Sequence, residues 1–301
     1  MPHSVPLPCQ YMNPIRSLLW LLLATGAASV VRAEMITEIG AGAFQDNNVS
    51  NAQMDRDIKR DSAVWASLSA GRLFEIGEDN GLTVTADLTA HAFNRYAGLS
   101  HASFGVSVAD RTKLGLGAGA PWVMVSGHAV RLQFREDVRD GWLYQAGLGA
   151  GKRIGERWEM QAAYRFERRT GENTESEVPG LSGDVFDGTA HNVLLDARYS
   201  YDDTLVVALG YGWRRGDVVS TTQRNFTIFR ASSAIADDPA FGDEAYAYRL
   251  DATTHSVSVG LSKAVDRHSS LNVGFERRLT YAAGGNDYYD SVPNVTYLYS
   301  Y

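Results

Sequence analysis

The sequence predicts an all-β protein, a transmembrane antiparallel up-and-down β-barrel of about twelve strands. Three observations predict it: long segments alternate apolar with polar residues, the connections alternate short with long, and aromatic residues gather at both ends of the segments. The longest apolar run, Leu18 to Val31, is interrupted by Thr25, Gly26 and Ser29. It is shorter than the roughly 18 residues of a spanning helix, so we expect no transmembrane helix.

The alternation is clearest in the segment 82–95. Its even-numbered residues from Leu82 to Ala92 are apolar, whereas its odd-numbered residues from Thr83 to Arg95 are mostly polar. Successive side chains of a strand point to opposite faces, so this segment makes a strand with one oily and one polar face. All segments of this kind predict strands near 35–44, 62–76, 82–96, 101–109, 121–136, 142–154, 158–170, 191–202, 205–218, 253–265, 270–282 and 293–301. The even count favours a closed barrel, with ten or fourteen strands as alternatives.

The connections support this topology. Short links at 77–81, 155–157, 202–204 and 266–269 alternate with long ones at 45–61, 171–190 and 219–252. Barrels of the outer membrane have tight periplasmic turns and long outer loops. We expect the 219–252 loop, which contains Phe226 and Ile228, either to fold inward and narrow a pore or to extend the barrel as a hairpin. A phase change near His128 predicts a β-bulge in the fifth strand.

Aromatic residues form two groups once the loop lengths fix the strand directions. Trp and Tyr prefer the two interfaces of a membrane, so these groups predict aromatic girdles. The girdle at the short-turn end consists of Trp122, Trp158, Tyr199, Tyr201, Tyr299 and Tyr301. The girdle at the long-loop end consists of Trp142 and Trp213, with Phe134, Phe166 and Tyr281.

Residues 1–33 have the anatomy of a secretory signal. Arg16 precedes a leucine-rich run, and Val31 and Ala33 frame a cleavage point before Glu34. Met12 is a plausible true start, and an N-terminal core helix is the alternative reading. We expect residues 34–301 to form the barrel, with the first strand beginning near Met35 and no periplasmic domain before it.

Composition excludes several kinds of chemistry. The formal net charge is −7 and no basic cluster is present, so we expect no nucleic-acid partner. The single cysteine, Cys9, lies in the predicted signal, which excludes disulfides and cysteine-bound metals from the mature chain. Residues 147–152 lack the first glycine and the Ser or Thr of a phosphate loop. The acidic stretch 237–244 fits no calcium-loop spacing, and we interpret it as a solvated surface loop. We expect no cofactor and no metal.

The C-terminus carries a resemblance to the bacterial outer-membrane β-barrel proteins as a class. Val295, Tyr297, Tyr299 and Tyr301 alternate and end the chain on an aromatic residue, where the class more often has Phe. The resemblance implies location in the cell outer membrane, contact with its lipid and lipopolysaccharide, and recognition of the last strand by the barrel-assembly machinery. A soluble periplasmic β-sandwich is the structural rival, because its strands also alternate.

One pair suggests an enzyme. His101-Ala102-Ser103 resembles the His-x-Ser pair of outer-membrane phospholipase A, another barrel, and residues two apart on a strand share a face. Ala102 and Phe104 occupy the apolar face, so His101 and Ser103 point into the lumen, away from lipid. We therefore predict lumen lining and no catalytic residue.

The lumen-facing phase of each strand predicts the charges that line the pore. The predicted cations are Arg95, Arg131, Arg135, Arg165, Arg169, Arg198, Arg214 and Arg278, and the predicted anions are Glu38, Asp87, Glu159, Glu167, Asp196 and Glu276. A small excess of arginine favours anions. We therefore expect a small, weakly anion-selective diffusion channel for small anionic solutes. A plugged structural or surface-interaction barrel and a lipid-acting barrel enzyme are the alternatives.

Overall fold

The computed structural model describes residues 32–172 and 181–301. The predicted signal lies outside the described residues except for Arg32 and Ala33, which begin the first strand. The strands are β1 (Arg32–Asp46), β2 (Asp61–Glu75), β3 (Asn80–Phe93), β4 (His101–Lys113), β5 (Trp122–Phe134), β6 (Gly141–Ile154), β7 (Trp158–Gly171), β8 (Gly188–Ser200), β9 (Leu205–Thr222), β10 (Ala234–Asp237), β11 (Tyr246–Ala264), β12 (Ser269–Ala282) and β13 (Tyr288–Ser300), with one short helix, α1 (Phe226–Ala231).

Twelve of these strands form a closed antiparallel barrel, as the sequence predicts. Each pairs with its neighbour in the chain, β9 pairs directly with β11, and β13 pairs with β1 from Glu38↔Ser300 to Phe44↔Asn294. Closure gives every strand two partners, so the backbone needs no hydrogen bond from lipid. Among the described residues, no helix has the length and apolarity to cross a membrane.

The two faces of the wall differ as the alternation predicts. Large apolar side chains are exposed on the outer face, among them Val64 at 59%, Leu148 at 57% and Leu209 at 52%. Thr, Ser, Asp, Glu and Arg occupy the other face, which encloses the lumen. An apolar exterior of this extent is suited to contact with the hydrocarbon core of a lipid bilayer.

The fifth strand lacks the predicted bulge. Its register with β6 runs without interruption from Trp122↔Gly151 to Leu132↔Gly141, so the even-numbered residues of β5 face the lumen along its whole length. The prediction of a phase change and a bulge near His128 is therefore wrong. Val130 and Leu132 are simply apolar residues that face inward, at the depth where the lumen is covered.

The hairpin of β9 and β11 is longer than predicted. β11 begins at Tyr246 rather than near 253, and its first residues pair with β9 on one side and with β10 on the other. Asn225 caps α1 by accepting hydrogen bonds from the backbone N–H groups of Thr227 at 3.0 Å and Ile228 at 3.3 Å. The 219–252 region thus extends the barrel as a hairpin, and part of it also folds inward over the mouth.

We expect the folded protein to resist SDS at room temperature and to change its mobility on a gel after boiling. A closed barrel leaves no strand edge for the detergent to open, so unfolding must break a whole pairing such as that of β1 with β13. Mobility before and after heating measures this. A heat-indifferent, water-soluble protein recovered from the periplasm would contradict the barrel.

Candidate functional site at the covered mouth of the barrel

Most of the predicted lumen charges lie on the lumen face of the described strands. They are Arg165, Arg169, Arg198, Arg214, Arg278, Asp87, Glu159, Glu167, Asp196 and Glu276. Two predicted lumen arginines lie elsewhere: Arg95 and Arg135 are exposed loop residues, because β3 ends at Phe93 and β5 at Phe134. They cannot line the wall, and the prediction for them is wrong.

Arg131 also differs from its prediction. With β5 in one phase, Arg131 shares the outer face with Val123 and Val125, which are exposed. It forms a bidentate ion pair with Glu172 at the rim, with Nη2 to Oε2 at 2.9 Å, and lies 6.0 Å from the ring of Trp142. Arg131 therefore belongs to the outer rim.

One member of each predicted aromatic girdle faces the lumen. Trp142, Trp158, Tyr199, Tyr201, Trp213, Tyr299 and Tyr301 lie on the outer face or at a strand end. Trp122 faces the lumen and is buried, because Gly151 opposite it has no side chain and leaves room for the indole. The guanidinium of Arg111 covers its ring at 4.3 Å. Phe134 also faces inward.

The polar contacts along the lumen follow the wall. Arg165 Nε lies 3.5 Å from Glu167 on the same strand, and Arg278 lies 3.0 Å from Glu276 on its own strand. Asp87 on β3 reaches His128 on β5 at 3.5 Å across Gly105, where no side chain intervenes. These ion pairs join residues of one strand or of nearby strands, so they do not bridge opposite walls.

The contacts that do cross the barrel lie at its long-loop end. We call residues 219–249 the lid: the outer ends of β9 and β11, with α1 and β10 between them. Two apolar clusters pack the lid. One lies around Ile228, Ile235, Tyr248 and Leu250. The other joins Ala234, Ala236 and Ala247 of the lid to Val185 and Phe186 in the β7–β8 connection. The lid is therefore a packed unit.

The lid reaches the opposite wall. Asp238, whose side chain is 0% exposed, accepts hydrogen bonds from Arg139 Nε at 3.0 Å and from Thr221 Oγ1 at 2.6 Å. Phe241 packs on Tyr96 in the β3–β4 loop, with ring centroids 5.0 Å apart. The β3–β4 loop is six strands away from the β9–β11 hairpin around the barrel, so the lid spans the mouth.

The β3–β4 loop and the lid approach each other closely at Gly98 and Ala240. A Cβ atom placed on Gly98 would lie 2.7 Å from Cα of Ala240, so only glycine lets the β3–β4 loop meet the lid. In the acidic stretch 237–244, Asp237, Asp243 and Glu244 are exposed, as predicted for a solvated loop, whereas Asp238 is buried in an ion pair. No group of three or more metal-binding side chains occurs among the described residues.

The β1–β2 loop also covers the mouth. Asn51 Nδ2 donates to Val219 O at 2.9 Å, and Ser220 Oγ donates to Asn51 O at 2.7 Å. The backbone N–H of Thr221 donates to Ser50 O at 2.8 Å. Two loops from different sides therefore meet above the lumen.

A cavity of about 390 Å³ lies beneath these loops. One side is aromatic and the other is polar or charged. The lining residues are Phe44, Asp46, Val49, Asn51, Trp65, His91, Phe93, Leu99, His101, Phe134, Arg139, Asn272, Glu276, Arg278, Val292, Asn294 and Thr296. Sequence reasoning placed few of these together, because strands far apart in the chain contribute them.

The His101 and Ser103 pair shows no catalytic arrangement in the described part of the chain. His101 Nδ1 lies 2.9 Å from Leu99 O, and its ring stacks on His91 with centroids 4.6 Å apart. Among the described residues, no hydrogen bond joins the imidazole to Ser103, and such a bond would be needed to activate the hydroxyl. Both residues belong to the lumen face.

The chain is similar to solved structures but not to sequence families. No family model and no curated protein matches it. An outer-membrane channel from Pseudomonas putida F1 aligns with a TM-score of 0.56 at 12% identity, over 92% of this chain and 100% of the other. The transport unit of the autotransporter AIDA-I from Escherichia coli aligns at 0.45 and 11%, over 93% of each chain, and the KdgM porin at 0.41 and 10%, over 88% and 99%.

The alignment with the channel from Pseudomonas putida F1 shows that the two chains share a fold. This chain is a closed twelve-stranded barrel with an apolar exterior, which makes it an integral protein of the cell outer membrane. It has the fold of the bacterial outer-membrane β-barrel proteins.

Proposed function

We propose that the protein is a small diffusion channel of the outer membrane whose outer mouth is covered by the lid. The observation that carries this proposal is the arrangement of lumen charges. Their ion pairs follow the wall, whereas the contacts across the barrel belong to the loops at the mouth. Within residues 32–172 and 181–301, the contacts that cross the lumen are made by loops, and the proposal is that these loops move aside.

We propose a selectivity of the opposite sign to the one that the sequence predicts. The predicted preference for anions depended on eight inward arginines, of which Arg95, Arg131 and Arg135 do not face the lumen. At the covered mouth, four carboxylates, those of Asp46, Asp238, Glu276 and Asp290, lie around three guanidinium groups, those of Arg139, Arg169 and Arg278. The narrowest part of a pore contributes most to its selectivity, so we propose a weak preference for cations.

A plugged structural barrel is the second candidate. The two apolar clusters of the lid favour it, because a packed lid costs free energy to move. The two candidates differ in one respect: a channel opens when the contact of the lid with the opposite wall is broken, and a plugged barrel does not.

We expect Asp238→Ala to increase the open time and the conductance in planar bilayers. Removing one partner of a buried ion pair costs about 3–5 kcal/mol, which would shift a closed-to-open equilibrium more than a hundredfold. Gly98→Leu should act in the same direction by steric contact with Ala240. The barrel itself should keep its SDS resistance, since neither residue belongs to a spanning strand.

Arg131→Ala is the matched control for this experiment. It removes an arginine of the same rim, but one that pairs with Glu172 outside the lumen, so the conductance should not change. Currents that stay absent in both Asp238→Ala and Gly98→Leu, with folded barrels in the membrane, would establish the plugged barrel in place of the channel.

We expect the reversal potential of the Asp238→Ala channel in a KCl gradient to show a weak cation preference. Asp46→Asn and Glu276→Gln together should reduce this preference, because they remove two carboxylates at the mouth. Asp251→Asn, which changes an outward carboxylate paired with Arg215, should leave it unchanged. Clear anion selectivity would contradict the charge assignment at the mouth.

A further inference from the structure

We propose that the cavity beneath the lid binds an organic cation that carries an aromatic or other apolar group. This inference goes beyond the channel proposal, because a ligand can occupy the cavity whether or not the mouth conducts. It depends on two features that meet in the same space: an arc of aromatic rings, and the three carboxylates of Asp46, Glu276 and Asp290, which share the one guanidinium group of Arg278.

The aromatic arc is continuous over four strands. The ring of Phe44 on β1 contacts those of His91 and Phe93 on β3, at 6.3 and 5.8 Å between centroids. His91 stacks on His101 of β4 at 4.6 Å, and His101 contacts Phe134 of β5 at 4.5 Å. These rings and Trp65 line one side of the cavity. An apolar body can lie against their faces, and a cation is attracted by them.

Asp46 lies at one end of this arc. It is two residues after Phe44 on β1, so both side chains point into the cavity. Its carboxylate accepts a hydrogen bond from the backbone N–H of Asn48 at 2.7 Å, and it forms no ion pair within the described residues. Asp46 therefore presents negative charge next to aromatic faces, the combination that recognises substituted ammonium groups.

The guanidinium groups of the cavity are already engaged. Arg139 is held by Asp238, and Arg278 lies 3.0 Å from Glu276 and 3.4 Å from Asp290. A ligand carboxylate would have to compete with buried or half-buried acids for either arginine. Arg278 also attracts Asp46, but it is shared with Glu276 and Asp290. Three carboxylates therefore face one guanidinium group, and this charge balance favours a ligand cation over an anion.

The volume sets the size of the ligand. A cavity of about 390 Å³ is at the lower end of the range of small-molecule sites, which suits a single ring with a short charged group. The amide and hydroxyl groups of Asn272, Asn294 and Thr296, on β12 and β13 beside the β1 end of the arc, can hydrogen-bond polar substituents or water around the ligand.

Calorimetric titration of the refolded full-length barrel in a non-ionic detergent tests the proposal. The probes are benzyltrimethylammonium, the neutral 3-phenylpropanol and the anion 3-phenylpropionate, which share a ring and differ in charge. We expect benzyltrimethylammonium to bind most tightly. Asp46→Asn keeps the acceptor for Asn48 and should weaken this binding roughly tenfold or more, with little effect on 3-phenylpropanol.

Two further variants make the result specific. Phe44→Leu keeps an apolar side chain without a ring face, so it should weaken binding of the cation more than that of the neutral probe. Asp251→Asn is the matched control on the outer face and should have no effect. Equal binding of the three probes, preference for 3-phenylpropionate, or unchanged binding in Asp46→Asn would overturn the proposal, and none of these outcomes depends on conductance.

Discussion

The structure depends first on the pairing of the backbone within lipid. A spanning segment finds no water there, so each N–H and C=O group must be paired inside the protein, and a strand can satisfy this only in a closed sheet. The pairing of β13 with β1 meets this condition, and it fixes the inward or outward direction of each side chain in the wall. The apolar exterior, the polar lumen and the girdles all follow from it.

Because backbone pairing fixes the spanning wall, the candidate functional features lie at the ends of the strands. Beyond the bilayer β9 and β11 continue, and Gly216 marks the point where they leave the wall, with φ of +148° and no room for a Cβ next to Thr189 O. From there the hairpin crosses the mouth instead of continuing upward. The wall provides a polar tube, and the loops cover its outer mouth.

Alternation in the sequence could predict the strands because one face of each must match lipid. The errors have one physical origin, the loss of that constraint at the mouth. Phe134 is apolar although it faces inward, because its ring packs against His101 and Arg169. Arg131 is charged although it faces outward, because Glu172 pairs with it at the rim. α1, β10 and the burial of Asp238 depend on contacts between distant loops, which no local pattern encodes.

The lid combines two kinds of interaction with different consequences. Its apolar clusters stabilise it as a unit but would permit several positions above the lumen, since apolar contacts have little directional preference. The ion pair of Arg139 with Asp238 has a fixed geometry, and its desolvation offsets much of its attraction, so it adds little net stability. What it provides is one position for the lid against the opposite wall. The pair does not act alone, because Asn51 also binds Val219 and Phe241 packs on Tyr96. The channel proposal therefore requires a movement of the lid that releases these polar and aromatic contacts together, while the apolar clusters stay intact.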